Sequence, residues 1–430
     1  MGNEAQVVGG GHSSPSETGR GAVLDGGAVR NQDAVVAASV EMPRPLAELG
    51  SFFSRDGGAT VEGERPRQSA AFGLKQIDHA DLATYPRLRE VLERVGEIAA
   101  HIRKDTGLTL DLSKITFDVC PADDFVIRMY KEAISRCGMG PQALDEALRE
   151  THPENRQLSK QLKLAKFMAS GVFMPTEETI LLNGDILQRG NANNLAVVLY
   201  HELIHAAQFQ NFPGFFETIS AYGKIGVELS NQGLKDSPEY RGNRDSLDAC
   251  MQVLEGMPTS LQTKNSKEYF PGASDGLGFF HKAWAAGQQL FTREGWNTLM
   301  KYIGGSVKYS ALQKVSPHID HLAYQVPEFA LLLGKKEGEV VINLPHGATA
   351  EQLSQVGKVA EVFVGLNRGS RLKCNIRVAP RDQESAVATV DPAPILKVYE
   401  EIIWVVSLQQ TRLNGTLRTP KETPSHHAGS

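Results

Sequence analysis

The residues with the clearest chemical pattern are His201-Glu202-Leu203-Ile204-His205. Residues four positions apart on a helix lie on one face, so the two imidazoles can bind one metal ion together. Glu202 lies beside the first histidine, where its carboxylate can take a proton from a metal-bound water. The simpler alternative is a pair of helix-surface histidines. The apolar run Leu195–Leu199 just before the motif favours a buried helix, and therefore the metal site.

A catalytic zinc site usually has three protein ligands and an open fourth position. The four cysteines are far apart and form no Cys-x-x-Cys pair, which argues against a thiolate site and a disulfide framework. Six residues after His205 the chain has Asn211, so a third histidine at that spacing is absent from the sequence. We therefore expect one Zn²⁺ per chain, with a downstream carboxylate as its third ligand. The candidates are Glu217, Glu228, Glu239, Asp245, Asp248 and Glu255.

The segments around this motif resemble bacterial metallopeptidases of the gluzincin type. They are GVFMPTEETILLN before the motif, HELIHAAQFQNF across it, and NRDSLDACMQVLEGMPTSLQ, GLGFFHKAW and EGWNTLMKYI after it. The resemblance covers roughly residues 165–325 and implies a zincin-like domain that hydrolyses peptide bonds. It also implies that Glu255 is the third metal ligand, 50 residues after His205. A carboxylate at the end of a buried helical stripe needs a partner, and a metal ion is a suitable one.

Two further roles at a zinc peptidase site have candidates in this chain. Asp248, or Asp245, is the candidate that orients a zinc histidine from one or two helical turns before Glu255. A donor to the oxyanion that forms on the substrate is also needed. In the resembled family a Ser or Thr and then His-Pro follow the Gly-Trp helix, whereas here the proline comes before the histidine. The candidate donors are His318, which we assign first, and His321, Tyr309 and Tyr324.

We expect an α+β protein with a zincin-like domain, a second module and two tails. Residues 1–75 hold 13 of the 41 glycines and three aromatic residues, which favours a disordered tail. Residues 76–325 are predicted to form the helix-rich zincin-like domain, in which Gly171–Met174 and Thr179–Asn183 form a hairpin and the latter strand lines the substrate cleft. Residues 411–430 are predicted to be a flexible tail. A β-rich module over 326–410 is predicted from strand-like runs at Glu339–Leu344, Val359–Leu366, Leu372–Val378 and Ser385–Val390.

Composition restricts the class of partner. With 45 basic and 50 acidic residues the formal net charge is −5, which excludes a basic protein that coats nucleic acid. No apolar run approaches the ~18 residues of a membrane span, and the start of the chain lacks the order of a secretory signal. We therefore expect a protein or peptide substrate, and either a cytoplasmic location or export as a bacterial effector. The alternative function is a binding protein, in which the zincin fold is a scaffold and the C-terminal module recognises a protein partner.

Overall fold

The computed structural model describes residues 22–25, 84–138, 170–188, 191–273, 305–316, 318–384 and 386–416. Helices predominate in this part of the chain, and two three-stranded sheets accompany them, which agrees with the α+β class. Most of the predicted N-terminal tail, the segment GLGFFHKAW and residues 417–430 lie outside the described residues. None of the helices that the structure describes has the length and apolar character needed to cross a membrane.

Two amphipathic helices near the start of the described chain pack against the central helix of the fold. Helices α1 (Pro86–Leu92) and α2 (Val95–Thr106) both pack against α5 (Ala192–Asn211), the helix that contains the histidine motif. Their apolar residues recur at three- and four-residue spacing and are buried. Gly107 ends α2 with φ of +69°, a left-handed conformation that glycine adopts without a steric cost.

The first sheet contains β2 (Thr116–Cys120), β3 (Gly171–Met174) and β4 (Thr179–Asn183), in the order β2-β4-β3. The predicted hairpin is confirmed, because β3 and β4 are antiparallel neighbours. The prediction that Thr179–Asn183, the strand expected to line the cleft, is an edge strand is wrong. That strand is central, since β2 pairs with its other side in parallel, and β3 is the edge strand among the described residues.

The two faces of this sheet pack against different helices. Helix α3 (Ala122–Arg136) covers one face, where Val172, Met174 and Leu181 join a separate apolar cluster. The other face belongs to the main core and contacts α5 through β3. The short helix α4 (Gly184–Leu187) follows β4 directly. The sheet therefore holds β3 beside α5, the helix that contains the histidine motif.

Three long helices build the centre of the molecule: α5 (Ala192–Asn211), α6 (Pro213–Asn231) and α7 (Pro238–Tyr269). Helix α5 begins at Asn191, whose side chain accepts a hydrogen bond from the Asn194 backbone N–H at 2.7 Å. Every residue of α5 from 194 to 208 is buried. Pro213 follows the end of α5 and starts α6, and α7 packs against both helices.

The C-terminal part contains more helix than we predicted. It includes a helix over residues 305–315 (α8), then α9 (Ile319–Gln325), α10 (Pro327–Gly334), β5 (Glu337–Leu344), α11 (Ala350–Leu366), β6 (Arg371–Val378) and α12 (Pro392–Thr416). The strands β5 and β6 are parallel neighbours, as the crossover through α11 requires. The main apolar core continues from Leu88 to Ile402 and therefore includes residues on both sides of position 325.

Two predictions about strands are wrong here. The predicted strand Val359–Leu366 is the second half of α11, and residues 386–390 form no strand, so the module is a mixed unit rather than a β-rich one. The strand β1 (Ala22–Asp25) lies inside the predicted disordered tail, yet it pairs antiparallel with β6. It completes the second sheet, whose order is β1-β6-β5.

Candidate metal centre

The predicted ligands His201, His205 and Glu255 meet between α5 and α7. The two histidine Nε2 atoms are 3.2 Å apart, and each lies 3.3–3.4 Å from Oε2 of Glu255. Both histidines are buried and the Glu255 side chain is only 12% exposed. Of the six carboxylates that the sequence left open, Glu255 is the one that joins the two histidines in this group.

The dimensions of this triangle match those of a zinc site. Zinc bonds of about 2.0–2.1 Å in a tetrahedron place the ligand atoms about 3.3–3.4 Å from one another. The three distances in the structure lie within ~0.2 Å of that value, a tolerance that suits metal ligands. Two imidazoles and one carboxylate also form a donor set that zinc accepts in catalytic sites. The residues present therefore fit a zinc ion.

Gln208 determines which ring nitrogen of His205 carries the proton. Its carboxamide nitrogen donates to the carbonyl oxygen of Leu254 at 3.1 Å and to the Tyr324 hydroxyl at 2.8 Å. Because a carbonyl only accepts, the carboxamide oxygen must face the other way, toward Nδ1 of His205 at 2.9 Å. Nδ1 of the neutral ring therefore carries the proton, and Nε2 presents its lone pair to the ligand triangle.

The hydrogen bond from Gln208 to the Leu254 carbonyl is possible because of a proline in α7. Pro258 lies inside the helix and has no N–H, so the carbonyl of Leu254, four residues earlier, lacks its helical donor. Gln208 supplies the missing hydrogen bond. The hydroxyl of Tyr324 in turn donates to the carbonyl of Val253 at 2.9 Å. These bonds tie the turn of α7 that contains Glu255 to α5.

The other histidine is also held by a glutamine. Nδ1 of His201 is hydrogen-bonded to Oε1 of Gln262 at 3.0 Å, and Gln262 is buried. The sequence prediction gave such a role to Asp248 or Asp245, but the structure places glutamines at both Nδ1 atoms. Asp248 lies two turns before Glu255 and is partly exposed. Gln208 and Gln262 were not predicted from the sequence, although a proline inside a predicted helix leaves the carbonyl four residues earlier in need of another donor.

Glu202 lies at the edge of the first sheet. Its Oε2 accepts a hydrogen bond from the Phe173 backbone N–H at 2.9 Å, and only 1% of the residue is exposed. This contact requires β3 to approach α5 closely at Gly171. A Cβ atom there would lie 2.9 Å from Val198 Cγ1 and 3.4 Å from Glu202 Cγ. Glycine at this position therefore allows the strand to orient the carboxylate.

The electrostatics of the metal-free site are those of a buried ion pair. Burial opposes a charge on His205, but the Glu255 carboxylate outweighs it and raises the pKa of His205 to about 9. Glu202 adds to this rise, so its charge lies within electrostatic reach of the ring. Burial also opposes the Glu255 charge, and the two histidines nevertheless lower the pKa of Glu255 to about 2. The Glu255 carboxylate is therefore ionised beside the position that a cation would take.

The structure does not bring His318 to this centre. Its Nε2 lies 3.3 Å from a carboxylate oxygen of Glu401 on α12, and its backbone N–H donates to the Ser316 hydroxyl at 3.1 Å. In the described part of the chain no contact joins His318 to the metal-binding group or to Glu202. The first assignment of an oxyanion donor therefore has no support from this geometry.

The other candidate donors lie nearer the centre of the fold. His321 is largely buried, packs near Phe212 with ring centroids 5.9 Å apart, and has an Nε2 atom without a partner in the described structure. The Tyr309 hydroxyl is also buried without a partner among the described residues. Tyr324 is the candidate connected to the metal centre, through its hydrogen bond with Gln208. Its place is that of a positioning residue.

Comparisons with protein-family models, with curated proteins and with solved structures gave no match to this chain.

Proposed function

We propose that this chain is a zinc-dependent metallopeptidase of the gluzincin type. The observation that supports the proposal is the triangle of His201, His205 and Glu255, which has the dimensions and donor set of a zinc site. The His205 tautomer, fixed by Gln208, agrees with metal binding through Nε2. A zinc ion held there would lower the pKa of a water molecule and polarise a carbonyl group.

Glu202 is the proposed general base. Its carboxylate receives a proton from the attacking water and passes it to the leaving amine. The Phe173 N–H fixes one oxygen of that carboxylate, so the base is oriented before substrate binds. Burial of the side chain excludes the solvent that would otherwise compete for the proton.

The proposed substrate is a peptide in an extended conformation. Because β3 is the edge strand among the described residues and lies beside α5, a peptide can add to the sheet there. The proposed cleft therefore lies beside the contact of β3 with α5, and not beside β4. Its substrate would pass Glu202 as it follows the strand.

The variant Glu202→Gln tests this function. We expect zinc content to stay at the wild-type level while peptide cleavage falls about 100- to 10,000-fold, because an amide cannot act as the base. Zinc is measured by elemental analysis and cleavage by mass spectrometry of a proteome-derived peptide library. Glu217→Gln, an exposed acid on α6, is the matched control and should keep both properties. Equal cleavage by the wild type and Glu202→Gln would contradict the proposal.

A further inference from the structure

Arg136, in the last turn of α3, has an unusual environment. Within the described residues its guanidinium makes no hydrogen bond and no ion pair, and its Nη2 atom is sealed from solvent. Its neighbour is the ring of Phe216, whose centroid is 5.8 Å from the guanidinium carbon. A guanidinium offers five N–H donors, and a buried donor without an acceptor is costly.

The nearest acid on the same helix is already engaged. Glu132 is buried, and its two carboxylate oxygens accept hydrogen bonds from the backbone N–H and the hydroxyl of Thr176 in the β3–β4 turn. Burial lowers the pKa of Arg136, and the charge of Glu132 offsets this effect only in part. Among the described residues, Arg136 is thus a cation without a bound anion.

A row of aromatic rings leads from Arg136 to the proposed catalytic centre. Phe216 and Phe209 have ring centroids 5.2 Å apart, and Phe209 and Phe173 have centroids 5.8 Å apart. Phe173 is the residue whose N–H binds Glu202. Phe209 follows His205 by four positions on α5, so the two share one face of the helix. The row of rings therefore has the proposed reacting centre at one end and the cation at the other. Phe209 is its partly exposed member, whereas Phe173 and Phe216 are buried.

From this arrangement we propose that Arg136 binds a carboxylate of the peptide substrate. The proposal rests on the peptidase function proposed above and adds a substrate class to it. The carboxylate belongs to the C-terminus or to an acidic side chain, and an apolar side chain next to it packs on Phe209, the partly exposed ring of the row. Three successive contacts of 5.2–5.8 Å lead from the guanidinium of Arg136 to Phe173 beside Glu202, so the carboxylate would lie a few residues from the scissile bond in an extended peptide.

A binding experiment tests this site without cleavage. The probe is 3-phenylpropionate, which combines a ring and a carboxylate, and its uncharged amide is the control ligand. We expect zinc-loaded Glu202→Gln to bind the acid with a Kd in about the millimolar range in calorimetry, and to bind the amide at least about 10-fold more weakly. Adding Arg136→Met should abolish the preference, whereas adding Lys131→Gln, an exposed cation on the same helix, should retain it. Equal binding of acid and amide, or a preference that survives Arg136→Met, would overturn the proposal.

Cleavage of matched peptides distinguishes the two sources of the carboxylate. Peptides are synthesised around the strongest site cut in the library, with a free or amidated C-terminus and with Glu or Gln at each position. We expect one acid form to have a kcat/KM at least about 10-fold above its neutral partner, and Arg136→Met to remove the difference while it still cuts the neutral form. Equal values for every pair in the wild type would overturn the proposal. If the wild type cuts no peptide, the proposed function fails, and the binding experiment alone decides the role of Arg136.

Thermal unfolding separates a binding role from a structural one. Met keeps the apolar contact with Phe216 and removes a charge that has no partner among the described residues. We therefore expect the Tm of Arg136→Met to equal or exceed that of the wild type, as is common where a binding group is kept at a cost in stability. A large drop in Tm would indicate that Arg136 stabilises the fold and would count against a ligand site.

Discussion

Gln208 connects two ligands of the proposed zinc site, because its nitrogen donates to the carbonyl of Leu254 while its oxygen faces Nδ1 of His205. Leu254 directly precedes Glu255 in α7. Its carbonyl is open because Pro258 cannot supply the usual helical donor. One buried side chain therefore sets the ring orientation of one ligand and the position of the helical turn that holds another.

The variant Gln208→Leu should weaken zinc binding by roughly 10- to 100-fold. The leucine fills a similar volume, but it leaves His205 without an Nδ1 partner and the Leu254 carbonyl without a donor. The measurement is a competition titration against a chromogenic chelator. Gln210→Ala is the matched control, because Gln210 lies on the same helix and hydrogen-bonds Asp111 instead. Unchanged zinc affinity in Gln208→Leu, or an equal loss in the control, would show that the bond network does not position the ligand.

Glu255→Ala should remove most of the zinc. It deletes the one carboxylate in the ligand triangle, and two histidines alone bind the ion much more weakly, so we expect a loss of at least about 100-fold in affinity. Zinc per chain after dialysis against a fixed free-zinc concentration gives the result. Glu228→Ala serves as the control, since the sequence also allowed that residue as a ligand and the structure leaves it exposed on α6. Normal zinc content in Glu255→Ala would rule out the assignment.

The metal-free protein should lose stability as the pH rises toward about 9. The pKa of His205 is raised from its ordinary 6.5 to about 9, so this contribution is fully present below about pH 6.5 and is lost as the pH passes about 9. The pKa of Glu255 is lowered from 4.5 to about 2, so its contribution is present above about pH 4.5 and is lost as the pH falls through about 2. The ion pair therefore contributes most between about pH 4.5 and 6.5.

In the zinc-loaded protein, stability should not fall in this way between pH 6 and 9. The ion binds neutral imidazole, so protons compete with it at low pH and its stabilising effect grows as the pH rises. The measurement is the Tm of chelator-treated and zinc-loaded protein at pH 6, 7.5 and 9, each compared with Glu255→Gln, which lacks the ion pair. A difference between metal-free wild type and Glu255→Gln that stays constant from pH 6 to 9 would contradict the predicted ion pair.

The sequence predicted the grouping of His201, His205 and Glu255 better than it predicted the contacts that hold these side chains. His201 and His205 follow from one local rule, the four-residue spacing on a helix. Gln208 and Gln262 act across the interface of α5 and α7, and Gln262 lies 61 positions from the histidine it contacts. No local pattern distinguishes such a glutamine from one on the surface, so these contacts depend on the packing of distant elements.

In the C-terminal module, local composition was also a poor guide to secondary structure. Val359–Leu366 is rich in β-branched and apolar residues, which led to the wrong prediction of a strand. The helix start was present in the sequence, because Thr349 and Gln352 form a capping box at the beginning of α11. Buried residues then recur at helical spacing, at Val356, Val359 and Phe363. The signal at the helix start was thus more informative than the composition of its second half.

The approach of β3 to α5 gives the last prediction. In Gly171→Ala the new methyl group would lie 2.9 Å from Val198 Cγ1 and 3.2 Å from Leu182 Cδ2, so the strand must move away from the helix. We expect the free energy of unfolding to fall by about 1–3 kcal/mol. The rate of peptide cleavage should fall by more than the loss of stability explains, because the Phe173 N–H would no longer orient Glu202.

Gly214→Ala is the control for this substitution. Gly214 lies in the first turn of α6, and a Cβ atom there meets nothing within 4 Å, so stability should be unchanged or slightly increased. Denaturant unfolding at pH 7 measures both variants, and the zinc-loaded forms are assayed for cleavage under conditions where each remains folded. If Gly171→Ala were as stable and as active as Gly214→Ala, the close contact between β3 and α5 would have no role in orienting Glu202, the proposed base.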